Sequence, residues 1–143
     1  MAKNIKRIGN KCELELCKLL SEHNFWCHLL SYNKNGQPCD VVAMKGNLNY
    51  LIDVKHIEGT RFDFSRIEPN QHTCFDYAMW NCDIENCGFA IYSEVTCRFY
   101  WMNYDVYNHR GEYNSIDVRN LELFENEINS KKWFSNRKSN RWN

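Results

Sequence analysis

Asp40 and the triplet Asp53-Val54-Lys55 place acid and base close together in the middle of the chain. Side chains alternate across a strand, so Asp53 and Lys55 project from one face while Ile52 and Val54 point the other way into a core. Asp40 opens the preceding strand-like segment and can stand beside Asp53 across the ladder. Carboxylates converging on one spot repel unless a divalent cation occupies it. An all-oxygen set suits Mg²⁺ or Mn²⁺, which keep waters and contact few carboxylates. A lysine there can orient or deprotonate an attacking water, or offset charge in a phosphorane-like transition state. Alone, such a triplet arises by chance on the order of once in a chain of this composition, and its plain alternative is an edge-strand ion pair.

Glu13 strengthens the set. From Ile8 to His23 the pattern is helical, with Cys12, Leu16, Cys17, Leu19 and Leu20 on one arc and Lys11, Glu15, Lys18 and Glu22 opposite. At 100° per residue from Ile8, Glu13 falls at about 140°, inside the apolar arc. A carboxylate aimed at a core is costly unless it is paired or binds a cation.

The elements that must position these residues follow from periodicity. Segments 25–31, 39–45 and 49–57 are strand-like, with Gly46-Asn47 as a hairpin turn between the second and third. A helix is predicted over Pro69–Asp83, with proline in its first turn. A second hairpin is predicted over 88–94 and 96–102, and a closing helix over Arg119–Ile128 with Asn120 as its cap. The order αβββαββα describes an α/β fold, a mixed central sheet with helices packed on it.

Length and composition fit one soluble domain covering 1–143. Trp80, Trp101 and the aromatics between them suggest a bulky, sheet-rich interior. No apolar run is long enough for a membrane span, and the basic start has no apolar stretch behind it, so a cytoplasmic protein is expected. The eight cysteines include no CxxC pair, which favours free thiols packed as small hydrophobes over zinc ligands or a disulfide framework. The five histidines show no HExxH or HNH-like spacing, His56 should face away from Asp53, and no glycine-rich phosphate loop is present. Net charge is zero but uneven. The arm 1–11 holds Lys3, Lys6, Arg7 and Lys11 without an acid, and the tail 130–143 holds Lys131, Lys132, Arg137, Lys138 and Arg141 without one. Basic ends on an acidic body suit a protein that grips a polyanion and gathers carboxylates elsewhere for metal. Trp133, Phe134 and Trp142 interleave with the tail's cations and could stack on bases.

Asp40 followed by Asp53-Val54-Lys55 resembles the PD-(D/E)xK nuclease superfamily, and Glu13 in the first helix makes the chain similar to its Holliday junction resolvase branch. The stretch Arg61-Phe62-Asp63-Phe64-Ser65-Arg66-Ile67, then Pro69-Asn70-Gln71, is similar to the RecU group, whose members follow acid-x-Lys with a Phe-rich turn, a short helical lead-in and a glutamine. The resemblance spans roughly Gly9 to Met102. Cys39 separates Pro38 from Asp40, Asp53 stands where RecU proteins usually have Glu, and the spacing from Phe25 to Asp40 leaves no room for the RecU stalk. That compactness resembles archaeal Hjc enzymes or phage-encoded resolvases.

The resemblance implies a restriction-endonuclease-like core and metal-dependent hydrolysis of DNA phosphodiesters. Asp40, Asp53 and the Val54 carbonyl would hold the metal, Glu13 would complete its shell, Lys55 would position the nucleophile, and Gln71 would serve the active site or touch DNA. Arg61 and Arg66 join the basic arm and tail as expected DNA contacts. A four-way junction is the implied substrate, and two symmetric nicks imply a homodimer. The alternatives are a restriction or repair nuclease acting on duplex or flap DNA, and a catalytically idle DNA-binding module. If the tail grips DNA, deleting 130–143 should flatten the slope of log affinity against log salt, by up to about 0.9 for each phosphate the tail had neutralised. An unchanged slope would reduce the tail to a solubilising end.

Overall fold

The computed structural model describes residues 5–30 and 39–132, with the backbone alone for 5–9. Helix α1 (Ile5–Glu22) starts earlier than periodicity suggests and buries Cys12, Leu16 and Leu20. It ends in a Schellman turn: Phe25 N–H donates to Leu20 O and Asn24 N–H to Ser21 O, with Asn24 at φ 67°. Phe25 then packs in the same cluster as Leu20.

Six strands form the main sheet: β1 (Trp26–Leu29), β2 (Val41–Lys45), β3 (Leu48–Ile57), β5 (Asn86–Ser93), β6 (Arg98–Asn103) and β8 (Glu122–Leu123), in the order β1-β2-β3-β5-β6-β8. Only β3 and β5 are parallel; the other neighbours run antiparallel. The parallel pair needs a crossover, and α2 (Pro69–Asn81) lies within it, with Pro69 in its first turn as expected. Gly46 turns the β2–β3 hairpin at φ 56°, which glycine adopts without strain. The architecture is α/β, a mixed sheet flanked by helices.

Alternation along β3 divides the interior in two. Tyr50, Ile52 and Val54 face Leu16 and Leu20 of α1 and Phe124 and Ile128 of α4 (Phe124–Ser130). Leu51 and Ile57 face Phe75 and Ala78 of α2. On that second side, β4 (Arg61–Asp63) pairs with β7 (Ser115–Asp117), and α3 (Tyr104–Asn108) contributes Tyr104. Periodicity alone missed these three short elements.

Two expectations need correction. The predicted closing helix is a 3-10 turn at Val118–Asn120, then β8, then the short α4. Glu122 and Leu123 extend to pair with Trp101 and Tyr100, and the strand pairing overrides helical propensity. Asn120 therefore caps nothing; Asp117 caps the 3-10 turn and Leu123 precedes α4. Trp101 is core as expected, but Trp80 is 80% exposed on the outer face of α2. Among the described residues no helix is long and apolar enough to cross a membrane.

Gly88 sits where β5 passes tightly against β6: a Cβ there would stand 2.2 Å from Met102 O and 2.9 Å from Tyr104 N. Backbone cannot yield cheaply in the middle of a sheet, so Gly88→Ala should cost about 2 kcal/mol or more and lower the melting temperature by several degrees. An unchanged thermal melt would show that the two strands can separate there.

Candidate active site

Strands β2 and β3 stay in register from Lys45–Leu48 to Val41–Ile52, and Asp40 N–H donates to Ile52 O at 2.9 Å. There β2 stops while β3 continues to Ile57, with β5 its sole strand partner among the described residues. Val54 N–H, facing the space β2 has left, would be orphaned. Asp40 takes the strand's place: its Oδ2 accepts from Val54 N–H at 2.7 Å. The N–H and C=O of one residue point to the same side of a strand, so the Val54 carbonyl opens onto the same gap.

Asp53 and Lys55 lie on the α2 side of β3, 3% and 9% exposed. Asp53 Oδ1 accepts from Gln71 Nε2 at 2.9 Å. Its Oδ2 lies 3.2 Å from Lys55 Nζ yet receives no aligned hydrogen bond, though it is fully buried. Lys55 Nζ instead donates to the Arg66 carbonyl at 3.0 Å, which fixes the ammonium against the carboxylate. Gln71 is buried at the first turn of α2, and its Oε1 accepts from Glu68 N–H at 2.9 Å, the reach-back half of a capping box. One carboxamide thus anchors the helix start and orients Asp53.

The carboxyl of Asp40 lies beside those of both Glu13 and Asp53. Carboxylates gathered out of water repel unless one keeps a proton. Burial first, then the Asp40 charge and hydrogen bond, lift Glu13 to about 7. Burial also holds Asp53 well above the usual carboxylate range, against the pull of Lys55, with Asp40 adding to the rise. Among the described residues no group of three His, Cys, Asp or Glu side chains is arranged to hold a metal ion. The donor set is nevertheless all oxygen, with one buried carboxylate oxygen, Asp53 Oδ2, lacking an aligned donor, and oxygen is the donor type hard divalent cations take.

The structure therefore brings Glu13, Asp40, Asp53, Val54, Lys55 and Gln71 to one place, and His56 does turn away, to Glu94 at 3.4 Å and the Tyr92 ring. The expected DNA contacts are scattered. Arg66 borders the site, its guanidinium bonded to His56 O at 2.8 Å and lying over the Phe62 ring. Arg61 is occupied at the β4–β7 sheet, donating to Ser115 Oγ at 2.9 Å. Lys11 lines an open cleft of about 800 Å³ between α1 and the β5–β6 hairpin, where Lys18 and Arg98 meet Glu15, Glu22 and Glu94, a mixture poorly suited to a polyanion. Lys131 pairs with Glu127 at 3.7 Å, and Lys132 is exposed. The side chains of Lys3, Lys6, Arg7, Arg137, Lys138 and Arg141, with Trp133, Phe134, Trp142 and Pro38, lie outside the described residues. Sequence reasoning missed Glu68 and the Arg66 carbonyl. Glu68-Pro-Asn-Gln71 matches the spacing of a capping box and could have been found; a backbone acceptor leaves no such mark.

No protein-family model matches this sequence, and no curated protein does. The fold does match the structure of Hjc, a Holliday junction resolvase from the archaeal hyperthermophile Archaeoglobus fulgidus, with a TM-score of 0.67 over 84% of this chain and 99% of that one, at 17% identity. The chain has the Hjc fold. On that fold the acid cluster lies at the splayed end of β2 and β3, held there by this chain's own residues.

Glu13 keeps its proton to about pH 7 in the folded chain, against 4.5 ordinarily. Between those values the folded state binds more protons than the unfolded one, so the contribution to stability falls as pH rises. Without divalent metal, Glu13→Gln should be more stable than the parent at pH 8, by on the order of 1 kcal/mol after allowance for solvent screening, and no more stable at pH 4. Denaturant melts at both pH values, in chelator, measure this. An equal difference at both would remove Glu13 from the cluster.

Proposed function

We propose that this chain is a Mg²⁺- or Mn²⁺-dependent DNA endonuclease that resolves four-way junctions as a homodimer. The observation that carries the reading is the convergence of half-buried Glu13 from α1 with buried Asp40, Asp53 and Lys55 at the edge of β3, on an Hjc fold. A module that only bound DNA would have no need to bury carboxyls against one another.

Asp40, Asp53 and the Val54 carbonyl would hold the cation, with Glu13 reaching it directly or through a water. When bound, that ion supplies charge neutralisation at the phosphate and activation of water. Lys55, fixed by the Arg66 carbonyl, positions the attacking water and offsets charge as the phosphorus gains its fifth oxygen. Gln71 is a positioning residue, holding Asp53 by its Oδ1 so that Oδ2 faces the cluster. Resolution takes two symmetric nicks, hence two copies of the site related by a twofold axis. Among the described residues nothing at the site resembles a base-reading helix, and a junction offers no fixed sequence, so discrimination rests on junction shape.

Asp53→Asn should abolish cleavage, by more than about a hundredfold, while leaving junction affinity within a few-fold, since phosphate contacts come mainly from lysine and arginine. Cleavage within tenfold of the parent would remove Asp53 from the chemistry. Incubation of the sized protein with a four-way junction, a matched duplex and a flap, with and without Mg²⁺, tests the substrate. A dimer making paired symmetric nicks near the branch point is expected. A monomer that treats all three alike would replace the resolvase by a general nuclease.

A further inference from the structure

The edge of β3 that β2 leaves open continues past Val54. Main-chain groups of alternate residues point to the same side of a strand, so Ile52, Val54 and His56 all present theirs toward the β2 side. Ile52 O accepts from Asp40 N–H at 2.9 Å, and Val54 N–H donates to the Asp40 carboxylate at 2.7 Å. At His56 the partner is an arginine: a guanidinium nitrogen of Arg66 donates to His56 O at 2.8 Å. Two residues of a strand span roughly 7 Å, so this guanidinium closes the edge next to the Val54 carbonyl.

Arg66 is exposed, yet both its ends are committed to β3. Its side chain holds His56 O, and its own carbonyl accepts from Lys55 Nζ at 3.0 Å. The guanidinium also lies over the fully buried Phe62, 5.7 Å from the ring centroid. The turn around Arg66 is anchored on both sides. Phe64 and Ile67 are buried, Ile67 N–H donates to Phe64 O at 3.1 Å, and the Asp63 carboxylate accepts from Ser65 N–H at 2.8 Å.

Lys55 has a second acceptor within reach. Its Nζ stands 3.2 Å from Asp53 Oδ2, a buried oxygen with no aligned donor. A carboxylate is the stronger acceptor for an ammonium, so the carbonyl of residue 66 is what keeps Lys55 from closing on it. We infer that Arg66 is a positioning residue, a latch across the open edge of β3 that holds Lys55 off Asp53 Oδ2 and leaves both groups available to the reaction. The latch stands on the hydrogen bonds; only its effect on cleavage rests on the nuclease reading. It replaces the expectation that Arg66 serves as a phosphate contact. Without the guanidinium the turn loses its tie to His56, the residue-66 carbonyl shifts, and the ammonium swings onto Asp53 Oδ2. The closed pair offsets a charge that a cation would need and withdraws the ammonium from the attacking water. A displacement near 1 Å in a positioned group costs on the order of a hundredfold in rate.

Arg66→Ala and Arg66→Lys in the full chain test this. Crystal structures of the parent and both variants, grown without divalent metal, report where Lys55 Nζ stands. In the parent it is expected on the residue-66 carbonyl; in Arg66→Ala it is expected on Asp53 Oδ2, at about 3 Å, and out of reach of that carbonyl. Lys55 still bonded to the carbonyl in that variant would overturn the latch, and Arg66→Lys gives the same reading if the alanine variant unfolds. In Mg²⁺, kcat for junction cleavage should fall tenfold or more in both variants, with junction affinity and its salt slope unchanged. A lysine ammonium cannot both lie flat on Phe62 and donate to His56 O, but it can serve a phosphate. Parental cleavage by Arg66→Lys, or a salt slope lower by about 0.9 in Arg66→Ala with kcat intact, would therefore make Arg66 a phosphate contact and sink the inference. A shifted Lys55 with cleavage within twofold of the parent would overturn its part in the reaction. If neither parent nor variants cleave DNA, a shifted Lys55 would still uphold the latch, and the nuclease reading alone would fail.

Discussion

Where β2 stops and β3 runs on, the sheet has to satisfy a backbone donor left without a strand partner. The Asp40 carboxylate does so at Val54 N–H, and this hydrogen bond sets the geometry around it. Because a side chain rather than a strand fills the gap, there is room for Glu13 to reach over from α1 and for the Val54 carbonyl to face the same space. Because Asp40 is tied to the backbone of β3, it cannot swing away from Asp53, one residue along. Three acidic groups are thereby held side by side at a place mostly closed to water. In the absence of a cation they persist only by keeping protons, as the raised Glu13 and Asp53 values reflect.

The fold supplies the rigidity this arrangement needs. Strand β3 lies inside the sheet, flanked by β2 and β5, and its two faces are packed by different helices. The apolar residues of one face seat α1, which delivers Glu13. The other face seats α2, whose first turn delivers Gln71, while the Arg66 carbonyl ahead of it pins Lys55. Each participant thus comes from an element anchored in a core, and small movements of α2 relative to β2 are felt at Asp53 and Asp40 together.

Much of the site was legible because it obeys periodicity. Strand alternation placed Asp53 and Lys55 on one face, and the helical arc placed Glu13 toward the sheet. Gly46 marked the hairpin that brings β2 against β3. Gln71 entered only through resemblance to a known group, although its capping-box spacing with Glu68 was there to be read. What failed depends on tertiary context. Trp80 looks like core by composition, yet α2 covers the sheet with Gln71, Phe75 and Ala78 and turns its tryptophan outward. Arg119 to Ile128 looks helical throughout until Val118–Asn120 closes as a 3-10 turn and β6 recruits Glu122 and Leu123 as an edge partner.

If the acid cluster is a cation site, a divalent ion must displace the protons that now hold it together. Calorimetric titration of the reduced protein with Mn²⁺ near pH 7, in two buffers of different ionisation enthalpy, separates binding from proton release. Saturable binding is expected, with protons released as the ion enters, since Glu13 is lifted to about 7 and Asp53 is held well above the usual carboxylate range. Absence of saturable binding, or binding whose heat is the same in both buffers, would contradict a metal site built from Glu13, Asp40 and Asp53.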